Sequence, residues 1–280
     1  MKEKNLQHIL VYTDFTEVGD NAVIHAVEIA KIFKKQLTVL HVIDDNTHSL
    51  FKNKKTEEKT EQKLNEISEK IKKLFTGEVH TYWEEGCACK IINSTSENLD
   101  AVMVVLGVHP KNRIQYITPK YALKKVQKSR VPFLLIPENA KDISVYSKVY
   151  LPINHLKETK ESANWAAYFG RLNQTEVNFL LPTQSESGVQ NNLAYGKKIF
   201  KKFELSFSEK EIKCNAIGVY VIAAKFVRTQ NDGLLVIMAS RKPGFLDKLF
   251  GTKELKILNS NNNFPVLTIA PREDLYVPCV

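Results

Sequence analysis

Short unbroken apolar blocks recur along this chain, separated by longer stretches in which apolar residues fall three and four apart. The blocks ILVYT (residues 9–13), LTVLHVI (37–43), AVMVVLG (101–107) and VPFLLI (131–136) are too short for helices. They are apolar at successive positions, which is the pattern of strands buried on both faces of a parallel sheet. Between the first two, Ala22, Ala26, Ile29, Ala30 and Phe33 predict an amphipathic helix over 21–33. A charged segment, 57–74, places Leu64, Ile67, Ile71 and Leu74 on one helical face. EVHTYW (78–83) alternates like a more exposed strand, and CKIINSTSEN (89–98) reads as a short helix. Thr118 and Pro119 open a last helix, with Thr as N-cap and Pro in the first turn.

The pattern then repeats. ILVYTDFTEVGDNAVIHAVEIAKIF from Ile9 aligns with VYLPINHLKETKESANWAAYFGRL from Val149 at an offset of 140 residues, which sets Ile153 on Thr13, Asn154 on Asp14 and Ala166 on Ala26. DAVMVVLGV (100–108) resembles GLLVIMAS (233–240), and RVPFLLIPE (130–138) resembles NFPVLTIAP (263–271). Similarity over half a chain predicts two duplicated domains, 1–140 and 141–280, joined within the polar PENAKDISVYSK. In the second copy the strands fall at 148–152, 177–181, 204–208, 234–239 and 265–269. The expected fold class is α/β, as two doubly wound, five-stranded parallel-sheet domains. Ligands on such sheets sit at the carboxyl ends of strands, where Thr13, Asp14, Gly107 and Ser240 would lie. Asp14 has two readings, a ligand-facing carboxylate or a cap for the helix that follows.

Composition changes this picture little. The chain has 280 residues, 43% apolar and 25% charged, with a net charge of +9. That charge permits weak attraction to phosphate-rich partners, and no specific nucleic-acid motif accompanies it. No apolar run approaches the ~20 residues of a membrane span, and the opening MKEKNLQHIL holds no secretory apolar region, so a cytoplasmic location is expected. Cys87, Cys89, Cys214 and Cys279 are scattered without metal-ligand spacing and read as reduced thiols, and no metal site is evident. His41 reads as a core histidine, and Trp83 and Trp165 as packing residues. His109 leaves the fourth strand with nothing nearby in sequence to complete a catalytic pair.

The stretch ILVYTDFTEVGDNAVIHAVEIAKIFKKQLTVLHVID closely resembles the opening of the universal stress protein family, and VPFLLI and FPVLTI look like its closing strand. The resemblance implies a tandem member with strand order 3-2-1-4-5 in each copy. It also implies that Thr13, Asp14 and Val42 hold the adenine and ribose of ATP or AMP, while a loop of pattern G-x2-G-x9-G-[ST] cradles the phosphates. Here that loop departs from the pattern. GVHPKNRIQYIT keeps Gly107 and Thr118 but has Pro110 and Ile117 where glycines belong; ASRKPGFLDKLFGT keeps Gly251 and Thr252 but loses the first two glycines. Arg241, Lys242, Lys248 and Lys253 flank the second loop. What the resemblance implies is a non-enzymatic stress-response or regulatory protein binding an adenine nucleotide in its first domain. The alternatives are a weak ATPase of the adenine-nucleotide α-hydrolase-like fold, or a scaffold for protein partners of unknown identity. In the family the closing strand pairs two protomers, so the resemblance also implies an internal pseudo-dimer with pseudo-two-fold symmetry, as a monomer or homodimer.

Overall fold

The computed structural model describes residues 7–52, 54–109, 117, 118, 122, 129–140, 142–184, 186–239, 257, 258 and 262–271. Gly251, Thr252, Ser240, Pro119 and the four cations around the second loop lie outside these residues. The chain divides into two compact units, Met1–Lys125 with Val131–Glu138, and Asn139–Val280 with Val126–Arg130.

In the first unit the strands are β1 (His8–Tyr12), β2 (Gln36–Ile43), β3 (Val79–Glu85), β4 (Ala101–Val108) and β5 (Phe133–Pro137), in the order 3-2-1-4-5. All the pairings are parallel. Ile9 faces Leu37 on one side and Met103 on the other, and Tyr12 faces Leu40 and Leu106. Ile9, Leu10, Val11, Leu37, Val39 and Leu40 are fully buried. Each such side chain contributes about 1.5–3 kcal/mol on leaving water. Helices α1 (Glu17–Phe33), α2 (Asp45–Leu50), α3 (Thr56–Lys72) and α4 (Ala88–Asn98) connect the strands.

Helix α1 begins four residues before the apolar spacing suggests. Thr16 is its N-cap and accepts from the Gly19 amide at 3.2 Å; Glu17 and Asp20 lie in the first turn and Lys31 in the last, where each suits the helix dipole. Its buried face, including Ala22, Ala26, Ile29 and Ala30, packs on β1 and β4. Helix α3 differs from expectation. Its buried stripe is Thr56, Thr60, Leu64, Ser68 and Ile71, and Leu74 falls beyond the helix end, well exposed. Three small hydroxyl residues, Thr56, Thr60 and Ser68, are buried on a helix that covers β2 and the outermost strand β3.

The second unit has β6 (Lys148–Pro152), β7 (Glu176–Gln184), β8 (Phe207–Asn215), β9 (Leu234–Met238) and β10 (Val266–Ile269), in the order 8-7-6-9-10 and again parallel. Its helices are α5 (Thr159–Asn173), α6 (Ser187–Lys202) and α7 (Val219–Gln230). Strand β8 starts three residues later than the sequence suggests. Glu204 adopts φ +54°, and the amides of Glu204 and Leu205 close the end of α6 onto Lys201 and Phe200. Glu204 and Leu205 therefore belong to the turn that closes α6 and not to the strand. Both β3 and β8 are edge strands of their own units and carry mostly exposed, charged or polar residues, which discourages pairing with stray strands. Where β9 begins, Gly233 has φ +97°, and a Cβ there would sit 2.6 Å from the Tyr150 ring. Asp232 beside it accepts from Lys148 Nζ at 2.6 Å and the Tyr150 hydroxyl at 2.7 Å, tying the turn to β6.

Candidate functional site at the carboxyl end of the first sheet

At the carboxyl end of β1 the chain passes through Thr13, Asp14, Phe15 and Thr16 before α1 starts. Thr13 is fully buried; its amide donates to the Leu40 carbonyl and its hydroxyl oxygen accepts from the Phe15 amide at 3.2 Å. Phe15 takes φ +59°, a backbone region uncomfortable for a bulky residue. That turn lays its ring on His41 of β2, with centroids 3.9 Å apart and planes 21° from parallel.

His41 is the core histidine that the sequence suggests. Its Nδ1 donates to the Thr13 carbonyl at 2.8 Å, so Nε2 carries the lone pair and accepts from the Thr47 hydroxyl at 3.0 Å. Burial strips water from its charged form and pulls its pKa down to about 4, against the raising effect of the Thr13 carbonyl and of Asp44.

Asp14 is 13% exposed and is not itself the helix cap. Its Oδ1 accepts from the Thr16 amide at 3.1 Å and the Thr16 hydroxyl at 2.6 Å, while Oδ2 accepts from His109 Nε2 at 2.6 Å. The carboxylate orients the capping threonine, and it also lines a cavity. Burial pushes its pKa up, but the bonds from His109 and Thr16 outweigh burial, and the net direction is down. His109 corrects the sequence reading. It leaves β4 95 residues away and does find a partner, because β1 and β4 are adjacent and end together. Its side chain is 1% exposed. Its backbone amide donates to the Ile117 carbonyl at 2.9 Å, which draws Ile117 to the same place. Spacing alone gave no signal for this pair; only the strand order brings it together.

The cavity has a volume of about 340 Å³. Tyr12, Asp14, Phe15 and Thr16 line it from the β1 side, and His41, Asp44, Asn46, Thr47 and Leu50 from the end of β2 and α2. Gly86, Cys87 and Ala88 follow β3, and Ile117 completes the wall. A larger groove of about 540 Å³ lies near the opposite ends of the same strands, around His8, Thr38 and His80, away from Asp14. Cys87 and Cys214 are free thiols.

Other residues singled out from sequence have different surroundings. Val42 is fully buried within β2, opposite Glu84 of β3. Gly107 is a packing residue, because a Cβ there would meet the Val18 carbonyl oxygen of α1 at 2.6 Å. The Thr118 carbonyl accepts from the Ala122 amide at 2.9 Å. Among the described residues no group of three or more His, Cys, Asp or Glu is arranged to hold a metal ion, and no helix is long and apolar enough to cross a membrane.

In the second unit the equivalent position is spent internally. Asn154 Oδ1 accepts from the Leu156 amide at 2.8 Å and from the Thr159 hydroxyl. Asn192 of α6 donates to the carbonyls of Asn154 at 2.8 Å and Leu156 at 2.7 Å. Gly188 lets that helix approach, since a Cβ would lie 2.7 Å from the His155 carbonyl oxygen.

A parallel sheet of order 3-2-1-4-5, with a carboxylate at the carboxyl end of its central strand, puts the first unit in the Rossmann-like class of α/β domains. Residues 5–137 match the universal stress protein family. The fold likeness extends further. A universal stress protein from Archaeoglobus fulgidus covers 96% of this chain with 100% of its own, at TM-score 0.72 and 15% identity. A putative universal stress protein from Pseudomonas aeruginosa covers 95% with 94% of its own, at TM-score 0.57 and 13% identity. No curated protein matches the sequence.

Proposed function

We propose that the chain is a tandem universal stress protein with a stress-response role, and that its first unit binds an adenine nucleoside or nucleoside monophosphate beside Asp14. The observation that carries this reading is the cavity at the carboxyl end of β1 and β2, walled by the Asp14 and Asp44 carboxylates and the Phe15 ring. That is where parallel α/β sheets take ligands. Its volume of about 340 Å³ is near the low end of the range of roughly 300–1,000 Å³ for small-molecule pockets, which favours a nucleoside over a triphosphate. Asp44 and Asp14 on the wall also favour hydroxyl donors over additional phosphates. Asn154 offers a neutral counterpart whose Oδ1 is already engaged by Leu156 and Thr159, so the second unit is not expected to share the ligand.

Calorimetry with adenosine, AMP and ATP tests this. AMP is expected to bind, ATP to gain little over it, and phosphate release to stay at background. Asp14→Asn should weaken AMP by about 1.5–3 kcal/mol, the worth of a hydrogen bond to a charged group. Silence with all three ligands sinks the reading, and a strong preference for ATP sinks the size argument.

A further inference from the structure

We propose that His109 makes Asp14 a reader of a single ligand hydroxyl, and so decides which sugar hydroxyl the site recognises. The inference rests on the nucleoside reading of the cavity. An ionised carboxylate offers about two lone-pair sites on each oxygen. Thr16 fills both on Oδ1, through its amide at 3.1 Å and its hydroxyl at 2.6 Å. His109 Nε2 fills one on Oδ2 at 2.6 Å. One acceptor position remains, on Oδ2. Asp14 lines the cavity, whereas His109 does not and is 1% exposed, so the imidazole acts from behind the carboxylate. Donation to a carboxylate requires the proton on Nε2. The Thr16 hydroxyl cannot supplant it, because that proton is already directed at Oδ1.

Two consequences separate this from a purely structural anchor. Held at both oxygens, the Asp14 plane cannot turn to meet two neighbouring hydroxyls. A ribose therefore contributes one bond to it, and the other hydroxyl is read elsewhere or not at all. Releasing His109 frees Oδ2 and the carboxylate torsion, and the selectivity between the two hydroxyls should fade. His109 is a positioning residue in this account, with Asp14 as the group that touches ligand.

The test compares AMP, 2′-deoxy-AMP and 3′-deoxy-AMP on the full chain by calorimetry. One deoxy compound should lose roughly ten- to 150-fold in affinity, the equivalent of one hydrogen bond to a charged acceptor, while the other binds like AMP. In His109→Leu the two deoxy compounds should become alike. In His109→Gln, whose Nε2 reaches the place of the imidazole Nε2, the asymmetry should return. Proton NMR adds a readout that does not need ligand. A strongly deshielded imidazole N–H should be present in the wild type and absent in Asp14→Ala. Equal losses for both deoxy compounds in the wild type, or an asymmetry that survives His109→Leu in a folded protein, overturns the proposal while leaving the nucleoside reading intact. If wild type binds no AMP, that reading falls and this proposal with it.

Discussion

Replacing Asp14 by alanine removes the acceptor of three hydrogen bonds at once. The Thr16 amide and hydroxyl lose Oδ1, and His109 Nε2 loses Oδ2. Thr16 sits near the surface and water can replace its partner. His109 is 1% exposed, and the Thr16 hydroxyl lies 3.4 Å from its Nε2. The main cost is therefore a buried N–H left poorly satisfied, with a weakened cap on α1 added to it. A bond to a charged acceptor and a stranded buried donor together suggest a loss of about 2–4 kcal/mol. With a urea slope of about 1–3 kcal/mol per molar, the midpoint should fall by roughly 1–2 M. Trp83 lies in the first unit and Trp165 in the second, so fluorescence in a Trp165→Phe background follows the unit that was altered. The pH dependence supplies a second signature. The folded-state pKa of Asp14 lies below its ordinary value of 3.8. Its stabilisation is therefore present above that value and is lost as pH falls through the depressed one. The gap between wild type and Asp14→Ala should be full near neutrality and close in stronger acid. A midpoint unchanged at pH 7, or a gap that does not narrow in acid, would refute the idea that an ionised Asp14 holds His109.

Three further outcomes follow from the same geometry. Gly107→Ala drives a Cβ to within 2.6 Å of the Val18 carbonyl oxygen and should destabilise the first unit by about 1–3 kcal/mol in urea denaturation, the usual cost of overpacking; a neutral effect would mean that α1 moves freely over β4. His41 has its pKa lowered from 6.5 to about 4, so the unfolded chain takes up its proton first and stability present above pH 6.5 is lost as pH falls towards 4. That slope amounts to about 3 kcal/mol at most and should flatten in His41→Gln, measured by urea midpoints across the window. Gly233→Ala combines a φ of +97° with a 2.6 Å approach to Tyr150 and should lower the melting temperature of the second unit; an unchanged melt would contradict the tight turn before β9.

Much of the architecture is written in the linear pattern. Buried parallel strands must be apolar on both faces, so ILVYT, LTVLHVI and AVMVVLG identify β1, β2 and β4 almost to the residue. The repetition of that pattern likewise carries the strand–helix alternation into the second unit. Edges were less legible. β8 holds one buried residue, Ile212, and its charged alternation competes with the helix closure at Glu204. A two-residue period with polar side chains on both faces specifies register weakly. For α3, apolar spacing alone gave no place to Thr60 and Ser68, which are buried there.

The site divides along the same line. Asp14 stands out in sequence because a carboxylate ending a fully buried strand needs a reason. Nothing in the sequence pairs it with His109, since residues 95 positions apart become neighbours only when β4 is laid beside β1. The same holds for Gly107, a glycine whose missing side chain makes room for Val18 of another element. The inequality of the two units also depends on tertiary contacts. The exchange of Asp14 for Asn154 is visible in sequence, but it takes the packing of α6, with Asn192 on the backbone carbonyls of Asn154 and Leu156, to engage that position internally. Local chemistry thus determines which segments form strands and helices, because burial and capping act over a few residues. The partners of a carboxylate, a histidine or a glycine are decided by which strand ends the fold brings side by side.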